Sequence, residues 1–77
     1  MAKLDMKKGD PEFDAYADLY NFHKAYGTPE SNNDQYWTEV VEKAGEVRAK
    51  YRDTDMGEIV ARLLIMLMAK WDREVRA

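Results

Sequence analysis

At 77 residues with no cysteine, the chain is one domain near the lower size limit for a self-sufficient core. It has neither a disulfide nor a thiolate metal site to draw on. A formal charge of −3 in a chain that is 35% charged and 45% hydrophobic excludes both intrinsic disorder and a basic track for phosphate backbones.

The opening MAKLDMKKG holds lysines but no apolar stretch, so no signal peptide is read and a cytoplasmic location is expected. Residues 1–9 lack periodicity and are expected to be a flexible segment ahead of a single helical domain over 10–77. Asp10-Pro11-Glu12 reads as a helix start, with Asp as N-cap, Pro at the first helical position and Glu in the first turn. The predicted helix spans 11–26 and stops at Gly27, with Pro29 just beyond. Its two sides are both apolar. Leu19, Phe22 and Tyr26 lie on one, Tyr16 and Tyr20 on the other, and the apolar and aromatic arc reaches roughly 220°. Tyrosine-rich composition of this kind is also found in interface cores. The pattern does not decide which side is core and which is interface.

A polar connection follows. Ser31-x-x-Asp34 matches a loose capping box, with Asn33 as a competing cap. The second predicted helix, 34–52, carries Tyr36, Trp37, Val40, Val41, Ala44, Val47 and Tyr51 on a stripe of roughly 140°. Its other face is solvated, with Glu39–Lys43 and Glu46–Lys50 spaced for i,i+4 pairing. Gly45 interrupts this helix and marks either a close approach or a slight bend.

The third predicted helix, 55–75, is the most apolar part of the chain, with Asp53 or Thr54 as its cap. Met56, Val60, Leu63, Leu64, Leu67 and Trp71 share a stripe, and Ile59, Met66, Met68 and Val75 widen it to roughly 220°. Ile65 stands alone among polar neighbours, which makes it the best candidate for an exposed anchor. The uninterrupted apolar run, Leu63 to Ala69, falls short of the ~20 residues needed to cross a bilayer. The expected fold is an all-α three-helix bundle, completed by oligomerisation if the wide arcs on helices one and three are not covered from within.

Chemistry-bearing patterns are sparse. His23 is the only histidine, so no histidine metal cluster can form within one chain, and its position favours a helix C-terminal role. Glu39-Val-Val-Glu42 resembles the first half of the paired acidic motifs of MazG-type all-α nucleotide pyrophosphohydrolases, which implies magnesium-dependent hydrolysis as an alternative reading. The second acidic pair is missing, since Glu58 and Asp72 are far apart. Arg48, Lys50 and Arg52 before a turn suggest a helix-turn-helix DNA-binding regulator as a further alternative, but the following helix is too apolar for a recognition helix. The short, acidic, aromatic-rich, cysteine-free cast resembles accessory proteins of bacteriophages and mobile elements. That resemblance implies action by binding and occluding another protein, such as a host protein.

The reading is therefore a non-enzymatic protein-interaction module without cofactor or metal. It binds itself, a partner protein, or both, and neither membrane nor nucleic acid is expected. The interaction candidates are Tyr16, Leu19, Tyr20, Phe22, Tyr26 and Ile65. On this reading Phe22→Ala or Ile65→Asp weakens association without unfolding the chain.

Overall fold

Three helices form, the first at its expected bounds and the others within two residues of theirs: α1 Pro11–Tyr26, α2 Asp34–Tyr51 and α3 Gly57–Arg76. The computed structural model describes residues 5–30 and 33–76. All three helices pack on one another as an all-α three-helix bundle. No helix among the described residues is long and apolar enough to cross a membrane.

Local chemistry sets each boundary. Asp10 occupies the N-cap position of α1, but its carboxylate turns back to accept from the Lys7 amide (3.2 Å) and not from the helix. Asp14 does likewise, accepting from the Gly9 amide (3.0 Å), so the turn ahead of α1 is tied to its first turn. Residues 1–4 of the expected flexible segment lie outside the described residues, as does Ser31 of the expected capping box. Asn33 caps α2: its Oδ1 accepts from the Tyr36 amide at 3.0 Å.

The third helix starts at Gly57 and not at residue 55. The Thr54 hydroxyl donates to the Tyr51 carbonyl (2.7 Å) and accepts from the Met56 amide (3.2 Å), which holds 54–56 in a turn. Gly57 is required at this corner. A Cβ there would lie 2.7 Å from the carbonyl oxygens of both Tyr51 and Arg52, so any larger residue would push α3 off the end of α2.

The core runs along the axis between the helices. Ala15, Leu19 and Phe22 come from α1, and Tyr36, Val40, Ala44, Val47 and Tyr51 from α2. Met56 in the turn joins Val60, Leu64 and Trp71 of α3. Tyr26, Trp37, Leu63, Leu67 and Met68 pack against it while half-buried. Trp71 is fully buried, and among the described residues its indole N–H has no hydrogen-bond partner.

Candidate interaction surface

The aromatic payload of α1 divides cleanly. Phe22 packs at 5.4 Å (ring centroids) from Trp71 and 5.5 Å from Tyr26, which continues to Tyr36 at 6.0 Å and Trp37 at 4.8 Å. This ladder joins all three helices, and rings at such separations prefer the tilted and edge-on geometries seen here. The Tyr36 hydroxyl adds a hydrogen bond to the Tyr26 carbonyl (2.6 Å), satisfying one of the open acceptors at the C-terminus of α1. Burial raises the Tyr36 phenol above its ordinary range, with the charges of Glu30 and Glu74 acting in the same direction.

Of the residues proposed for interaction, Leu19 and Phe22 are therefore core, and Tyr26 is half-buried in the ladder. The ladder needs a ring at Phe22, so the expectation that Phe22→Ala spares the fold is replaced by one of unfolding. Tyr16, Tyr20 and Ile65 are exposed, at 49%, 65% and 60%. Further large apolar side chains join them on the surface: Phe13, Val41, Ile59 and Met66. His23 lies exposed with its ring edge-on to Trp71 at 5.8 Å, a packing role at the end of α1.

Two grooves flank α2. The one between α1 and α2 holds about 450 Å³ and is charged, lined by Asp18, Lys43, Glu46 and Lys50 around the edges of Phe22 and Val47. Asp18 accepts from the Lys50 ammonium (2.8 Å) and from the Tyr51 hydroxyl. Partial burial pushes the Asp18 carboxyl up, but the two hydrogen bonds and the charges of Lys50 and Lys43 outweigh it, leaving the group below the usual carboxylate range. This triad ties the middle of α1 to the end of α2. The spacing along α2 pairs Lys50 with Glu46, but the structure gives its ammonium to Asp18 on α1.

The groove between α2 and α3 is smaller, about 250 Å³, and apolar. Ala44, Gly45, Ala61 and Leu64 line it with Val41, Ile65 and Met68, and Arg48 closes one end. Val41 is 63% exposed despite its place in the expected stripe. At ~100° per residue it sits a full step away from buried Val40, on the flank of the helix. That angular offset is the signal available in the sequence, and the packing of α2 on α3 sets Val41 across the groove from Ile65.

The acidic residues do not converge. Glu58 is paired with Arg62 (2.9 Å) and Asp72 with Arg76 (3.0 Å), each along α3 itself. Among the described residues no group of three or more His, Cys, Asp or Glu is placed to hold a metal ion. Glu39 and Glu42 are exposed on α2, and among the described residues they join no such group. The basic cluster after Val47 is likewise partly consumed, since Lys50 is held by Asp18. No protein family, curated protein or solved structure matches the chain.

Proposed function

We propose that the protein acts by binding another protein chain, its own copy included, through apolar surface that the bundle leaves uncovered. The observation that carries this reading is the pair Val41 and Ile65, both more than half exposed on the two sides of one apolar groove. A 77-residue bundle has little apolar side chain to spare, and its core is already of marginal size. Large aliphatic side chains clustered on the surface, as opposed to scattered singly, mark association sites. Tyr16 and Tyr20 offer a second apolar strip on α1, with hydroxyls that stay wet. The resemblance to phage and mobile-element accessory proteins fits a chain that works by occlusion.

Site-specific photo-crosslinking tests the reading. A photoreactive residue at Ile65 or Tyr20 is expected to give a discrete protein adduct in cells, whereas one at exposed Lys24 is expected to give none. Absence of an adduct from both Ile65 and Tyr20 overturns it.

A further inference from the structure

Gly45 lies inside α2 with nothing in the bundle to require it. A Cβ there would meet no atom within 4 Å, and its φ is not positive. A glycine in a helix interior weakens the helix relative to alanine, so the fold alone gains nothing from it. Around it lie Thr38, Val41, Glu42, Arg48, Ala49 and Arg52, which share one face at ~100° per residue. All of them are exposed.

We propose that this face seats a second copy of the chain, with the two α2 helices crossing antiparallel at Gly45 about a two-fold axis. The proposal rests on the binding reading above and names its partner. The charge pattern decides the occupant. Glu42 and Arg48 stand at equal spacing on either side of Gly45, and among the described residues neither takes part in a salt bridge. In an antiparallel crossing centred on Gly45, Glu42 of each copy faces Arg48 of the other, and the contact is made twice. A parallel arrangement sets like charges together. Self-complementarity of this kind is what an isologous interface demands, and a foreign partner has no need of it.

Shape agrees with charge. Without a side chain at Gly45 the two backbones come close, as helix packing over small residues allows. Val41 then lies against Ala49 of the second copy, and Ile65 and Met68 flank the crossing helix along the groove. Val41 and Ile65, exposed in the single bundle, thereby become part of a shared four-helix layer.

Sedimentation equilibrium of variants tests the proposal. The wild-type chain is expected to reach twice its 9.0 kDa mass. Gly45→Leu is expected to stay monomeric while keeping the helical circular dichroism and cooperative melt of a folded bundle, because the Cβ it adds meets no atom within 4 Å in the single bundle. Glu42→Arg is expected to raise Kd on the order of 100-fold through like charges facing twice. The double variant Glu42→Arg/Arg48→Glu is expected to restore pairing. A wild-type chain that remains at 9.0 kDa up to millimolar concentration overturns the dimer, as does a Gly45→Leu variant that dimerises normally. Neither result touches the broader binding reading, which falls only if crosslinking from Ile65 and Tyr20 both fail.

Discussion

Replacing Tyr51 by Phe removes one hydroxyl from the Asp18–Lys50–Tyr51 triad and leaves the ring in the core. The Tyr51 side chain is buried, and its hydroxyl donates to a carboxylate that is itself only 30% exposed. A hydrogen bond to a charged acceptor in such a place contributes about 1.5 kcal/mol, at the lower end of the range because water can reach the carboxylate once the hydroxyl is gone. For a domain of this size that corresponds to a fall in Tm of roughly 6–12 °C. Removing Lys50 has a smaller effect, since its side chain is 60% exposed and an ion pair in water is screened.

The pH dependence follows from the depressed Asp18 carboxyl. Its stabilisation is fully present above the unfolded-state value and is lost as pH falls through the lower, folded-state value. Thermal melts by circular dichroism from pH 7 down to pH 2 are the assay. Wild type loses stability across the acid limb, and Asp18→Asn starts lower at pH 7 and shows a shallower limb. Equal Tm at pH 7 for wild type, Tyr51→Phe and Asp18→Asn, with parallel acid limbs, refutes the coupling between α1 and α2 inferred here.

Phe22→Ala deletes the ring at the centre of the aromatic ladder and costs about 3–5 kcal/mol, comparable to the whole stability of so small a domain. The variant is expected to show no cooperative thermal transition at 37 °C and above. Asn33→Ala removes the α2 cap and costs about 1 kcal/mol, read as a lower urea midpoint with an unchanged m-value. Tyr36→Phe breaks the link from α2 to the last turn of α1, and it lowers Tm by about 4–8 °C for a loss of about 1 kcal/mol.

How far the fold was legible is clearest at its ends. Pro11, Gly27 and Asn33 act within a few residues of themselves, through fixed φ, helix termination and a side-chain cap, so α1 and the start of α2 stand where they were expected. The start of α3 shifted because Thr54 bonds backward as well as forward, which cap patterns do not anticipate. Periodicity grouped Leu19 with Phe22 and Tyr16 with Tyr20, but it could not choose between two apolar faces. That choice falls to the rings of Trp71 and Tyr36, contributed by the other helices. Asp18 was missed because its partners lie on α2, more than thirty residues away in sequence, and no local pattern records such a pairing. The exposure of Ile65 was legible because it interrupts a polar face, whereas that of Val41 was hidden at the edge of a stripe drawn too wide.

That the α2–α3 face receives another chain, and that this chain is a second copy lying antiparallel, is tested most directly by disulfide trapping. The absence of native cysteine gives a clean background. Chains carrying Val41→Cys are mixed with chains carrying Ala49→Cys under mild oxidation, and the products are separated by mass. Antiparallel seating at Gly45 predicts that the mixed disulfide forms faster than either homodisulfide, and that Gly45→Leu in both chains abolishes the preference. Equal rates for all three products, or the same preference with Gly45→Leu, would contradict it.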